Sequence, residues 1–291
     1  MNQFLVSLVG GAALGGTLAL IGLGLVLAYR ATFTLSFAHG QLMLLPAFIV
    51  GMWQSHQVAP FGISVLFALA LSATICVLFY LIVLQRLVGL PHFMSFVATL
   101  GLASILDGVM ALIFGSNQYF IKIPGLSDGV MTFFGARISS KTLMLSVFTL
   151  VLAAAVVSVL RFTELGIRIR AAGHDPVLAS KGGINVRVLY AGSWAVAGVL
   201  AAVAGIVFGS INLVDVSLSN LALAAFPVIL LGGLDSIEGA VVGGIIIGVI
   251  QGFVATYLGG DYQDVVTYGL LLIVLLVYPQ GLFGTRSAAR V

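Results

Sequence analysis

Long apolar runs separated by short polar segments are the feature that most restricts what this chain can fold into. A helix needs about 20 apolar residues to cross the hydrocarbon core of a bilayer. Only 7% of the 291 residues are charged, whereas soluble domains carry about 25%. The sequence therefore predicts an all-α polytopic membrane protein with about eight or nine transmembrane helices. The candidate spans are 4–28, 34–53, 61–84, 93–114, 142–160, 188–210, 221–234, 236–258 and 264–279.

Two of these runs, 34–53 and 221–234, contain residues that disfavour a continuous helix. The two runs, each taken with the residues just before it, share the same spacing. A proline follows a serine by ten residues, and a glycine follows the proline by five. The residues are Ser36, Pro46 and Gly51 in one copy and Ser217, Pro227 and Gly232 in the other. The spacing suggests an inverted repeat with short or broken helices, a plan in which transporters place their substrate near the midplane.

Residues 161–187 form a long polar segment between two apolar spans. Its first part, ELGIRIRAA, predicts a helix that Gly173 interrupts. Asp175-Pro176 is a typical helix start, and Gly182-Gly183 can end the short helix that follows. The segment therefore predicts a helix, a break and a short helix. Residue types alone leave two interpretations open: an ordinary basic cytoplasmic loop, or a docking element for a cytoplasmic partner.

The distribution of basic residues between the spans predicts the orientation of the chain. Nine crossings place the termini on opposite sides, and the side that carries more Lys and Arg is cytoplasmic. The side of 161–187 carries Arg30, Arg86, Arg161, Arg168, Arg170, Lys181, Arg187, Arg286 and Arg290. The other side carries Lys122, Arg137 and Lys141. We expect the segment 161–187 and the C-terminus in the cytoplasm and the N-terminus outside, with an uncleaved first span because MNQFLVSLVGG lacks a basic n-region.

Several classes of function find no support in the sequence. No G-x-x-x-x-G-K-[ST] loop occurs, so ATP hydrolysis by this chain is not expected. The four histidines fall in different segments and Cys76 is a single cysteine, which argues against a metal cluster or a catalytic set. The basic residues lie between the predicted spans, so they indicate the orientation of the chain in the membrane and not a surface that binds nucleic acid. We expect no cofactor on this chain.

Polar residues within the predicted spans are the candidates for a translocation pathway, because such groups usually face the interior of a helix bundle. The set is Ser36, His39, Gln41, Thr99, Asp107 and Asn220. Asp107 is either a pathway or relay residue or a structural carboxylate. His39 either belongs to an unwound segment open to substrate or marks a packing break. The predicted topology places His39 near the cytoplasmic surface, which favours the packing break.

Longer motifs resemble a known family. TELGIRIRAAGHDPVLASKGGINVRVLYAGSWAVAGVLAAVAGIVFG resembles the cytoplasmic motif and following span of the branched-chain amino acid (LIV-type, LivH-like) permeases of bacterial ABC transporters. LSFAHGQLMLLPAFIVG, FVATLGLASILDGVMALIFGS, FPVILLGGLDSIEGAVVGGIIIG and YPQGLFG resemble further family segments in the same order. The chain departs from the family pattern at Ser36, Asp235, Glu238 and Tyr278. The resemblance supports the permease class and leaves the solute open among branched-chain amino acids, urea, short amides and aromatic acids.

The resemblance implies a single transmembrane permease domain over 1–291 in a bacterial inner membrane, with 161–187 as its coupling region. It implies a second related permease, two cytoplasmic ATPase subunits that bind ATP and Mg, and an external solute-binding protein. The residues that match the coupling motif are Glu164, Leu165, Gly166, Arg170, Asp175, Gly183, Ile184 and Asn185.

Three alternatives to an ABC importer are considered: a secondary transporter, a membrane enzyme and a structural scaffold. A proton-coupled secondary transporter would use Asp107 or His39. A membrane enzyme would need a convergent catalytic set, and a scaffold would not need a pair of interrupted helices.

Overall fold

The computed structural model describes residues 2–87, 90–126, 129–133 and 136–284. The described chain is mainly helical, and the prediction of an all-α polytopic membrane protein is confirmed. The helices are α1 (Asn2–Thr32), α2 (His39–Ser55), α3 (Phe61–Phe79), α4 (Gln85–Leu87), α5 (His92–Phe114), α6 (Ser140–Phe162), α7 (Glu164–His174), α8 (Pro176–Lys181), α9 (Val186–Ile211), α10 (Leu221–Gly232), α11 (Ile237–Tyr257) and α12 (Gln263–Val277). A π-helical turn, Tyr80–Leu84, joins α3 to α4, and 3-10 turns at Val216–Asn220 and Gly260–Tyr262 precede α10 and α12.

Seven helical segments in the described part of the chain are long and apolar enough to cross a membrane. They are Gln3–Thr32, Phe61–Leu87, Phe93–Phe114, Ser140–Phe162, Val186–Ile211, Ile237–Tyr257 and Gly260–Val277. The two runs with the repeated spacing form the shorter elements: α2 has 17 residues, and Val216–Gly232 is a short apolar segment. Each of these elements contains its proline, Pro46 or Pro227, within the helix. The sequence thus located both the long helices and the irregular ones.

A small hairpin occupies part of the predicted polar loop 115–141. Strand β1 (Val130–Phe133) pairs antiparallel with β2 (Ala136–Ser139), with Val130 opposite Ser139. The sequence prediction missed both strands because they have only four residues each, too few for a clear alternation. Asp128, in the same loop, lies outside the described residues.

Contacts within the chain divide it into two compact units. Unit 1 contains residues 1–26, 127–154 and 223–291, and unit 2 contains residues 27–126 and 155–222. The prediction of a single transmembrane domain over 1–291 stays a prediction.

Unit 1 is built on a close contact between α1 and α11. A Cβ atom at Gly11 would lie 2.8 Å from the carbonyl oxygen of Gly248, and one at Gly15 would lie 2.9 Å from that of Gly244. Lipid provides no hydrophobic force between helices, so small residues that let backbones approach are a main source of association in membranes. The glycine-rich sequences of α1 and α11 therefore account for their packing.

Unit 2 contains α2, α3, α5 and α9 and holds the polar elements described below. The Ser72 hydroxyl of α3 donates a hydrogen bond of 2.9 Å to the carbonyl of Gly198 in α9. Phe79 and the buried Trp194 pack edge to face across the same two helices. These two contacts pack α3 against α9.

Candidate functional site

Helix α2 runs in the same direction as α9. A side chain at Gly205 would meet the carbonyl of Met43, and one at Gly209 would lie 3.8 Å from the Cβ of Ala47. The contacts advance by four residues on both helices, which is the pattern of parallel neighbours. The glycines allow the backbone of α9 to lie directly against α2.

Helix α5 has the same direction beside α2. The Gln41 Nε2 lies 3.2 Å from Asp107 Oδ2, and the rings of Phe48 and Phe114 stack with centroids 4.8 Å apart. Each pair advances by the same seven residues on both helices. Because α5 and α9 both run parallel to α2, positions along these two long helices give the depth at which α2 begins.

The start of α2 lies deep in the bundle. At roughly 1.5 Å per residue, Asp107 is about 22 Å along α5, so His39 is level with a point about 20 Å along that helix. The contact of Met43 with Gly205 places His39 about 22 Å along α9 by the same rise. The two helices are about 34 and 39 Å long by that rise. The expectation that His39 lies near the cytoplasmic surface was wrong, because the preceding residues run inward before the helix begins.

Thr99 of α5 supports this inward, non-helical segment. The Phe37 N–H donates to Thr99 Oγ1 at 3.3 Å, and the hydroxyl donates to the Phe96 carbonyl at 2.8 Å. Thr99 is fully buried. Non-helical backbone at membrane depth requires such partners, or a wet cavity, to satisfy its polar groups.

Several polar atoms at the start of α2 are buried and have no hydrogen-bond partner within the described part of the chain. They are Ser36 Oγ, both ring nitrogens of His39 and Gln41 Oε1. A buried polar group without a partner costs about 1–3 kcal/mol. Such a cluster in a native protein needs an explanation. One explanation is a ligand or a partner that supplies the missing hydrogen bonds.

The start of α10 meets the start of α2. A side chain at Gly40 would strike the carbonyl of Ser219 and would lie 3.3 Å from the Cβ of Ala222. The turn before α10 is held by Asp215, whose Oδ1 accepts the Ser217 N–H at 2.9 Å. Asn220 is the last residue of that turn. The two interrupted helices therefore begin next to each other at mid-depth.

The predicted pathway residues are partly brought together. Gln41 bonds Asp107, Thr99 holds the segment that contains Ser36, and Asn220 follows the serine against which Gly40 packs. His39 and Gln41 are two residues apart in a helix, so their side chains point about 200° apart. The sequence did not indicate the contact of Gly40 with Ser219, since it joins residues far apart in the chain.

The polar segment 161–187 forms the predicted helix, break and short helix. The Asp175 Oδ1 accepts the Leu178 N–H at 2.8 Å and caps α8. Gly183, with φ of +86°, follows α8. The break differs slightly from the prediction: Gly173 lies inside α7, and the chain turns at Asp175, which has extended backbone. Asn185 then caps α9 by accepting the Val188 N–H at 3.2 Å.

Within unit 2, helix α7 contacts α9 and the ends of α1 and α6. The Arg170 guanidinium donates to the carbonyl of Leu160 in α6 at 2.9 Å. The Tyr190 hydroxyl of α9 donates to the Ala172 carbonyl at 2.8 Å. A Cβ atom at Gly173 would lie 3.0 Å from the carbonyl of Arg30 in α1. Gly166 packs against the Leu160 carbonyl as well. Tyr190 and Leu160 are functional candidates that the sequence did not single out, because no spacing signal links them to α7.

The outer surface of α7 and α8 combines charge with exposed apolar side chains. Glu164 and Arg168 form an exposed ion pair of 2.8 Å, which contributes little to stability. Leu165 is 46% exposed and Leu178 is 67% exposed. Beside this surface, a cavity of about 820 Å³ is lined by residues of α6, α7 and α9 and by Gly183 and Ile184. An interaction surface here would require that these exposed apolar side chains form one contiguous patch.

Within the described ranges, no group of three His, Cys, Asp or Glu residues could hold a metal ion. The charge count that predicts orientation also used Arg286 and Arg290, which lie outside the described residues.

Comparison with known proteins identifies the class. A family model described as "Branched-chain amino acid transport system / permease component" matches residues 7–275. The high-affinity branched-chain amino acid transport system permease protein LivH of Salmonella typhimurium (strain LT2) is 28% identical, over 99% of this chain and 98% of the relative. The corresponding protein BraD of Pseudomonas aeruginosa is 28% identical over the same shares. A probable LivH of Methanocaldococcus jannaschii is 28% identical over 92% of this chain and 88% of the relative.

No solved structure matches the chain. The family model covers most of the sequence, and the relatives align over nearly its full length. The chain is a multi-pass membrane protein that belongs to the family of permease components of branched-chain amino acid transport systems.

Proposed function

We propose that this chain is the membrane-spanning subunit of an ATP-driven importer that moves branched-chain amino acids, or a related small polar solute such as urea, an amide or an aromatic acid, into the cell. The observation that carries the proposal is the pair of interrupted helices at mid-depth, where polar atoms of Ser36, His39 and Gln41 have no hydrogen-bond partner among the described residues. The relatives are permeases for branched-chain amino acids, which supports that solute class first.

The energy for transport comes from partners. Two cytoplasmic ATPase subunits bind ATP and Mg, a second related permease completes the membrane part, and an external binding protein delivers the solute. This chain carries no cofactor and catalyses no reaction. It lies in a bacterial inner membrane with its N-terminus outside and its C-terminus in the cytoplasm.

The coupling region is formed by α7 and α8. Glu164, Leu165 and Ile184 contribute to the surface that meets an ATPase, and Gly183 and Asn185 shape the link to α9. Gly166, Arg170 and Asp175 hold the two helices in shape and against the spans. Closure of the ATPase pair moves α8 and α7, and the attached spans α1, α6 and α9 follow.

The test is ATP-dependent uptake of radiolabelled L-leucine by proteoliposomes that contain the complete transport system. Arg170→Ala and Gly183→Val lower the number of leucine molecules transported per ATP hydrolysed. Arg137→Ala in the hairpin, a basic residue outside the coupling region, serves as the matched control and leaves that ratio unchanged. Unaltered coupling in the first two variants would refute the role of α7 and α8. Uptake that a protonophore abolishes while ATP is plentiful would instead support proton-coupled transport through Asp107 or His39.

A further inference from the structure

Helix α5 exposes two flanks of different composition beside its buried face. The buried side chains recur every three or four residues and so share one face of the helix; they are Thr99, Ala103, Leu106, Met110 and Phe114. One exposed flank, which we call the polar flank, carries small or polar residues at helical spacing: Ser104, Asp107, Gly108 and Ala111. The other, the apolar flank, carries large exposed side chains: Ile105, Val109 and Leu112. The two flanks are therefore suited to different neighbours.

Asp107 places an ionisable side chain well inside the membrane. It lies about 10 Å from the nearer end of α5 by the helical rise, and it is exposed. Its Oδ2 accepts a hydrogen bond from Gln41 Nε2 at 3.2 Å, and among the described residues no Lys, Arg or His forms an ion pair with it. Ionisable residues within transmembrane helices are costly in lipid and almost always face protein or water. The polar flank is therefore not a surface for lipid.

The polar flank leaves room for another helix to approach closely. A Cβ atom at Gly108 would have no atom within 4 Å, and the same holds at Gly101, two turns earlier. The Ser104 hydroxyl donates to the Leu100 carbonyl of its own helix at 3.1 Å, so it does not occupy the carboxylate. Helices associate within a bilayer through small residues that let their backbones approach and through hydrogen bonds between helices. The polar flank offers both, whereas the apolar flank has side chains that lipid accepts.

We propose that the polar flank of α5 packs against a membrane-spanning helix of the second permease subunit, which supplies a hydrogen-bond donor to the Asp107 carboxylate. The inference rests on the proposed function, which includes that subunit, and adds where this chain meets it. The depth of Asp107 requires a partner within the bilayer, its carboxylate requires a donor, and the open glycine admits a helix at close range. The proposed ATPases and external binding protein lie outside the bilayer, so they do not reach this flank.

The first test is photo-crosslinking in membranes that contain the co-expressed transport system. Ala111→Cys on the polar flank and Val109→Cys on the apolar flank differ by about 3 Å in depth and point about 200° apart around the helix. Each introduced cysteine is labelled with a benzophenone maleimide, while Cys76 is buried and stays unlabelled. We expect Ala111→Cys to give an adduct with the second permease subunit, identified by mass spectrometry. Val109→Cys, the matched control, reacts with lipid and gives no such adduct.

The crosslinks have outcomes that would overturn the inference. One is an adduct with the second permease from Val109→Cys and not from Ala111→Cys. Another is a crosslink of Ala111→Cys to its own chain alone. A third is an Ala111→Cys that reacts with a charged, membrane-impermeant thiol reagent and forms no adduct, because the polar flank would then line a water-filled passage.

The second test measures how tightly the second permease subunit binds in detergent. Asp107→Leu replaces the carboxylate by an apolar side chain, which would favour a helix that faced lipid. We expect instead that association becomes about 3–15-fold weaker, as for the loss of one hydrogen bond between transmembrane helices. Gln41→Ala removes the bond inside this chain and keeps the carboxylate, so it weakens association less. Unchanged or tighter association in Asp107→Leu, or equal weakening by Gln41→Ala, would contradict the proposed contact.

The unaltered chain separates this inference from the proposed function. If it copurifies with no second permease and gives no ATP-dependent leucine uptake, the proposed function fails and the inference fails with it. If the complete system transports leucine and only the Ala111→Cys adduct is missing, the interface alone is wrong.

Discussion

Replacing Gly11 by alanine tests whether the glycine contact between α1 and α11 holds unit 1 together. A Cβ atom at Gly11 would lie 2.8 Å from the Gly248 carbonyl oxygen and 2.8 Å from the Cα of Val249, both of them backbone atoms. Ordinary van der Waals contact begins at 3.4 Å, so the helices must separate by about 0.6 Å. Backbone atoms cannot rotate away, so the misfit costs about 1–3 kcal/mol.

The neighbouring Gly10 provides a matched control on the same helix, because a Cβ atom there would have nothing within 4 Å. Both substitutions gain about 1 kcal/mol of intrinsic helix propensity, so the difference between the variants isolates the packing term. The assay is the fraction of detergent-purified protein that stays monodisperse on size exclusion after heating. We expect the midpoint for Gly11→Ala to lie about 2–12 °C below that for Gly10→Ala. Identical midpoints would refute the close packing of the two helices.

Two more predictions concern the coupling region and the start of α2. Asp175→Ala removes the acceptor for the Leu178 N–H and destabilises α8 by about 1 kcal/mol. We expect ATP-dependent leucine uptake to fall in this variant and to be preserved in Asp175→Asn, which keeps a capping oxygen. Equal uptake by the two variants would contradict the capping role. Thr99→Val removes the hydrogen bond that Thr99 Oγ1 accepts from the Phe37 N–H, a net loss of about 0.5–1.5 kcal/mol. The heating assay shows a lower midpoint than for Thr99→Ser, and equal midpoints would show that this bond does not support the segment before α2.

Local chemistry explains why much of the fold follows from the sequence. A run of about 20 apolar residues has one stable solution in a bilayer, so α5, α6 and α9 were predicted to within a few residues. The capping carboxylate of Asp175 acts on the backbone three residues later and needs no distant partner. Features of this kind are encoded within a few turns of the chain.

The depth of His39 was not predictable in this way. It depends on which residue of α9 Met43 meets, and nothing near Met43 in the chain encodes Gly205. The pairing of Gln41 with Asp107 was not predictable for the same reason, because the two residues are 66 positions apart and meet only through the packing of the helices. The sequence named both as separate pathway candidates, and only the packing of α2 against α5 shows that they form a pair.

The three attachments of α7 have a mechanical consequence. Eleven residues make a rod about 16 Å long, and its ties to Leu160, Tyr190 and Arg30 lie on three different spans. A rod held at several points bends little under load, so a push at its surface becomes torque on the helices and is not absorbed by loop flexing. The backbone is extended at both ends of the rod, at Thr163 and Asp175, and each of these residues is hydrogen-bonded to the turns beside it. Under the proposed coupling role, such a rod would transmit a displacement to the spans with little loss along its length.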